Sequence, residues 1–147
     1  MQDNQDLVRI QASTTGQLQA GLTAISRLFF LYVAAGVDSI EHGSWIDPAI
    51  IETFKQQPTW LVPTAYLQDY FLGRPDLPEA AKANRRLNVA LMHPMLSRAM
   101  QEGVRIAMGT DAGIMPHVDN AKEIIKYVEL GMTPMQAIES ATRSVRH

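Results

Sequence analysis

Residues 102–113 read Glu-Gly-Val-Arg-Ile-Ala-Met-Gly-Thr-Asp-Ala-Gly, and the fold turns on how this stretch is understood. Val104 to Met108 is a short, mostly apolar run between two glycines, which predicts a strand in a buried sheet. The residues after it, Gly109-Thr110-Asp111-Ala112-Gly113, predict a loop leaving the carboxyl end of that strand. The same organisation stands upstream. Gly36-Val37-Asp38-Ser39-Ile40-Glu41-His42 reads as a strand running into a loop, and Thr59 to Val62 as another strand, stopped by Pro63.

Helical stretches separate these strands. Asp47 followed by Pro48 makes an N-cap and first helical position for a helix through about Gln56. Asp76 with Glu79 has the spacing of a capping box for a long helix, expected to kink or restart at Pro94 and to finish near Gly103. Another helix spans about Asn120 to Leu130 and ends at Gly131. Thr133, Pro134 and Gln136 open the last one as N-cap, first position and capping-box partner. Residues 64–78, punctuated by Gly73, Pro75 and Pro78, predict a polar loop. Strands alternating with helices in this way define an α/β chain with a parallel sheet. The segment 1–33 is atypical and partly helical: Val8 to Ala12 could be a strand, and Gln17 to Ala35 has helical periodicity. Residues 34–147 carry the regular pattern.

The 147 residues suit one domain with a sizeable core, at 46% hydrophobic and 19% charged. A net charge of −2 with no basic block gives no footprint for nucleic acid or an anionic membrane. Arg85-Arg86 is an isolated basic pair expected on a solvated helix face. The absence of cysteine excludes disulfides and thiolate sites, leaving imidazoles and carboxylates as metal ligands. The start of the chain, acidic and polar, is unlike a signal peptide, and the most apolar run, Leu28 to Val37, is far below the ~20 residues of a membrane helix. The expectation is a cytoplasmic protein.

Two places put a metal-capable side chain just past a predicted strand: Glu41-His42-Gly43 and Gly109-Thr110-Asp111-Ala112-Gly113. In a (β/α)8 barrel the carboxyl ends of the strands form the active-site face. An imidazole and a carboxylate converging there suit a zinc-type ion, and the carboxylate could also take a proton from an attacking water. Spacing alone favours a blander alternative, with His42 as a hydrogen-bonded loop residue and Asp111 as a turn or capping residue.

The blocks taken together shift that balance. AAGVDSIEHGSWID (34–47) resembles the sixth-strand motif of the imidazolonepropionase-like and Xaa-Pro-dipeptidase-like metal-dependent amidohydrolases. WLVPT (60–64) looks like their seventh strand. EGVRIAMGTD, GTDAGIMPHVDNAKEI and GMTPMQAIESAT, up to Thr142, resemble their eighth-strand block. The resemblance implies the last three to four βα units of a TIM barrel, incomplete in this chain, since a full barrel takes ~250 residues. It implies His42 as a metal ligand and Asp111 as both metal ligand and general base. His117, where the family has a histidine at the pocket mouth, would take a substrate-side role, although Val118 replaces the glycine that follows it there. His93, just before Pro94, is expected at the surface or at a helix end.

The same comparison shows what is lacking. No His-x-His pair occurs anywhere in the chain. Val-Arg-Ile-Gln-Ala-Ser-Thr-Thr-Gly (8–16) loosely resembles the strand-four block and would put Arg9 where a carboxylated lysine belongs, a modification a guanidinium cannot undergo. No histidine lies between Thr15 and Val33. The implied function is hydrolysis of C–N bonds in small amides, cyclic amides or dipeptides with zinc or another divalent metal, inactive or weak in this chain alone. The alternative is a degenerate, non-catalytic barrel fragment acting as a binding or assembly module. Open strand edges favour self-association, in which Phe29, Phe30 and Leu31 offer a contact surface unless they pack in the chain's own core.

Overall fold

In the computed structural model of the protein, residues 27–43 and 45–142 are described. Residues 27–34 are helical (α1), and β1 (Ser39–Glu41) and β2 (Trp60–Val62) pair in parallel, with Ile40 opposite Leu61. The predicted strand at 104–108 runs parallel along the other side of β2. Leu61 bridges Ile106, donating its N–H to Arg105 O at 2.8 Å while its own carbonyl accepts from Ala107 N at 3.0 Å. The three segments thus lie side by side in the order β1, β2, 104–108, all pointing the same way. The remaining predicted strand, Val8 to Ala12, lies outside the described residues.

The period-two alternation of a strand explains which face is covered. Ile40, Leu61, Val104 and Ile106 are buried on one face and join a core with Ile50, Ile51 and Phe54 of α2 (Pro48–Gln56), Leu96 and Ala99, Tyr127, and Ala137. Ser39, Glu41 and Arg105, the alternate residues, are exposed. Parallel sheets are ordinarily covered on both faces; on the second face of this one Val62 is buried while Ser39, Glu41 and Arg105 are open among the described residues.

Helix α2 begins as its sequence dictates, with Asp47 Oδ1 accepting from Ile50 N at 3.0 Å and Pro48 at the first position. The helix α4 (Glu79–Gln101) runs on through Pro94 without the expected break, and Pro94 is exposed, so its ring meets solvent. The Asp76 capping box does not form. Pro78 stands at the N-cap, and Asp76 instead accepts from Arg74 Nε at 2.9 Å. The last two helices, α5 (Ala121–Glu129) and α6 (Pro134–Thr142), follow expectation. Thr133 and Gln136 exchange hydrogen bonds, Thr133 N to Gln136 Oε1 at 2.9 Å and Gln136 N to Thr133 Oγ1 at 3.2 Å.

The expected polar loop after β2 is a helix, α3 (Tyr66–Leu72), packed against α4 and α5. Arg85, expected in solvent, holds that packing: its guanidinium stands 3.9 Å over the Phe71 ring and donates to Gln68 Oε1 at 2.9 Å. The Phe29–Leu31 segment divides, with Phe29 packed against the core and Phe30 and Leu31 exposed. No helix of the described residues is long and apolar enough to cross a membrane.

Gly43, after β1, is required by space. A Cβ there would lie 2.6 Å from Leu61 Cδ1 and 2.9 Å from Ile40 Cγ2. Gly43→Ala is expected to lower unfolding stability by about 1–3 kcal/mol, the usual cost of forcing an extra methyl into a packed core. Urea denaturation checks this, and an unchanged midpoint would contradict the tight approach of the first loop to β2.

Candidate functional site

Because the three strand segments are parallel, their carboxyl ends lie at one end of the sheet. His42 follows directly on β1 and donates its N–H to Val62 O at 2.8 Å. Asp111 leaves the 104–108 segment through Gly109 and Thr110, at the same end. One strand, β2, separates them, which sets their backbones about 10 Å apart at the level of the ladder. Both side chains are exposed. Gly109 sits so close to β2 that a Cβ would strike Val62 Cγ1, and Glu41 Oε2 is within 3.9 Å of the same point. The Glu41 carboxylate therefore reaches across from β1 towards the third strand, and its Oε1 accepts from the Ser39 hydroxyl at 2.9 Å.

The backbone marks this end in a second way. Among the described residues, positive φ outside glycine occurs at His42 (54°), Thr64 (52°) and Asp111 (53°). One follows each of the three strands. Such a backbone costs about 1–3 kcal/mol per residue and persists where the surroundings over-determine it, commonly at functional sites. It is tolerated by Asp and His more readily than by β-branched Thr.

Thr64 was not singled out by the sequence, and neither was the group that holds its neighbours. Glu123, in the first turn of α5, is completely buried, and its carboxylate accepts from Ala65 N at 2.6 Å and Tyr66 N at 2.8 Å. The hydroxyl of fully buried Tyr127 lies beside it and donates to Ala107 O at 3.4 Å. One carboxylate thus ties the loop after β2 to the helix that follows the third strand. In the sequence Glu123 looks like an ordinary acidic residue near a helix start; only its i, i+4 spacing to Tyr127, on one face of the helix, hinted at burial.

The other expected site residue, His117, opens a short 3-10 turn, His117–Asp119, and is exposed. Thr110 Oγ1 donates to Asn120 Oδ1 at 3.0 Å, fastening the Asp111 loop to the start of α5. His93 lies in the interior of α4 rather than at an end, half-buried, and burial lowers its pKa below the ordinary histidine value. A cleft of about 280 Å³ lined by Trp60, Arg105, Gln136 and Glu139 lies near the opposite, amino end of β2 and the third strand, away from this chemistry.

A catalytic zinc site takes three protein ligands and a water. Among the described residues no group of three or more His, Asp or Glu side chains is placed to hold a metal ion. His42 and Asp111 are two donors, so the residues described do not by themselves fit a complete centre.

No family model matches the chain. Uncharacterized proteins of Mycobacterium bovis and Mycobacterium tuberculosis are 32% identical over 119 residues, covering 78% of this chain. The chain spans 32% of the length of these relatives. Among solved structures, it is similar to a Xaa-Pro dipeptidase with methionine bound in its active site, at 33% identity and a TM-score of 0.69 over 80% of this chain and 30% of that one. It is similar also to the ochratoxinase of A. niger, at 30% identity and a TM-score of 0.66, covering 79% of this chain and 26% of that one. Both have amidohydrolase-type folds, and over the matched residues this chain shares that type of fold.

Burial pushes the Glu123 carboxyl above its ordinary value of 4.5, against the opposite pull of the two amides and the Tyr127 hydroxyl. The folded chain then binds this proton more tightly than the unfolded chain does. The stability it contributes is fully present below pH 4.5 and is lost as pH rises through the raised value. Urea midpoints are expected to fall across that interval in the parent and to fall less in Glu123→Gln. Parallel pH profiles of the two proteins would refute the assignment.

Proposed function

We propose that the chain is the carboxyl-terminal part of a metal-dependent amidohydrolase barrel, supplying its last three to four βα units. The reaction would be hydrolysis of a C–N bond in a small amide, cyclic amide or dipeptide. One observation carries this reading: His42 and Asp111 stand just past parallel strand segments at one end of a sheet whose chain is 33% identical to a Xaa-Pro dipeptidase over 80% of its length.

In this reading Asp111 is the general base. It accepts the proton of the water whose oxygen attacks the carbonyl carbon, and the C–N bond breaks as the nitrogen regains a proton. His42 and Asp111 are donors to zinc or another divalent ion, and His117 lies on the substrate side. Two donors fall short of a catalytic centre, so the chain alone holds metal weakly and does not turn over substrate. The other donors would come from the rest of a barrel; this chain covers 26–30% of the similar solved chains.

A second reading is favoured by the same shortage of donors among the described residues: a non-catalytic barrel fragment acting as a binding or assembly module. In either case the open part of the second sheet face, with Ser39, Glu41 and Arg105 exposed among the described residues, favours association with another copy or a complementary chain.

Purified chain with added Zn²⁺ is expected to show no hydrolysis of dipeptides or N-acyl amino acids. Turnover that vanishes in Asp111→Asn while the fold persists would overturn the inactivity. Sedimentation at micromolar concentration is expected to give a dimer or larger species; a single compact species of 16.3 kDa would contradict association through the open face.

A further inference from the structure

We infer that Thr64 is a third functional residue of the strand-end face, its hydroxyl binding a polar atom of the substrate, with Glu123 as its positioning residue. This rests on the hydrolase reading and deepens it by naming the group between His42 and Asp111.

Four observations meet at Thr64. It lies two residues past β2, the middle strand of the three, so it stands between the two other strand-end residues. Its φ of 52° is in the left-handed region, which a β-branched side chain rarely adopts and which Gly or Asn would occupy with less strain. The residue is 5% exposed, and its hydroxyl has no hydrogen-bond partner among the described residues.

A buried threonine kept in a left-handed backbone at a strand-end face, its hydroxyl without a partner among the described residues, is hard to explain by packing alone. The clamp on its neighbours accounts for how it is held. Glu123 binds the next two amides, Ala65 N at 2.6 Å and Tyr66 N at 2.8 Å, and so fixes the chain direction immediately after Thr64. A hydroxyl held this way can donate to a carboxylate or carbonyl oxygen and accept from an amine, the groups that an amino acid or dipeptide presents.

The test uses the full chain and L-methionine, the molecule held by the similar dipeptidase, with binding followed by NMR titration. The parent is expected to bind saturably. Thr64→Val keeps the shape and the backbone strain but removes the hydroxyl, and is expected to weaken binding about tenfold or more. Thr64→Ser is expected to stay within about threefold of the parent. Thr64→Gly relieves the left-handed backbone and is expected to raise Tm by a few degrees while binding as poorly as Thr64→Val. Glu123→Gln, which keeps the shape, is expected to weaken methionine with the Thr64 amide resonance displaced. If Thr64→Val does not fold, Thr64→Gly carries the comparison. Hydroxyl-free variants binding as the parent does would overturn the role of Thr64 and leave the hydrolase reading standing. A parent that binds no methionine would overturn both.

Discussion

The carboxylate of Glu123 makes two hydrogen bonds, to the amides of Ala65 and Tyr66, on which the geometry of the strand-end face depends. A buried acid is expensive unless its oxygens are satisfied, and here both are. What they satisfy is equally exacting. The first amides of a helix have no partner within it, and α3 has no side-chain cap of its own. The acid and the helix end each supply what the other lacks. The consequence is mechanical: the loop after β2, containing Thr64, is fastened to α5, and α5 is fastened through Asn120 and Thr110 to the loop containing Asp111. Two of the three strand ends are held in one polar network.

The third end, at His42, is held differently. Its amide completes the ladder to Val62 O, and Gly43 behind it lies against Leu61 and Ile40 with no room for a side chain. Gly109 plays the matching part on the other side of β2, against Val62. Small residues beside the strand ends let the three segments close up, and polar residues just beyond them point their chemistry to one end. That arrangement agrees with the likeness to an Xaa-Pro dipeptidase and an ochratoxinase.

Much of this was legible in the sequence because the forces involved are local. Asp47-Pro48 starts α2, and Thr133 with Gln136 starts α6, because each cap bonds to an amide within three residues. The strands ending at Glu41 and Val62 stood out as apolar runs stopped by polar or proline punctuation. Where a competing partner intervened, local signals misled. Asp76 had the spacing of a cap but bonds to Arg74. Arg85 had the look of a solvated charge but lies over Phe71. Pro94 promised a break, yet its exposed position let α4 run on past it.

By itself the sequence determined the α/β alternation, the parallel sheet and the positions of His42 and Asp111 just past their strands. These follow from period, capping and turn chemistry within a few residues. Only the tertiary structure decided that residues 66–72 are helical and that Glu123 holds the two amides that follow Thr64. The stabilising contact for both joins residues 57 and 58 positions apart, and no pattern within a local window records a hydrogen bond made across the fold.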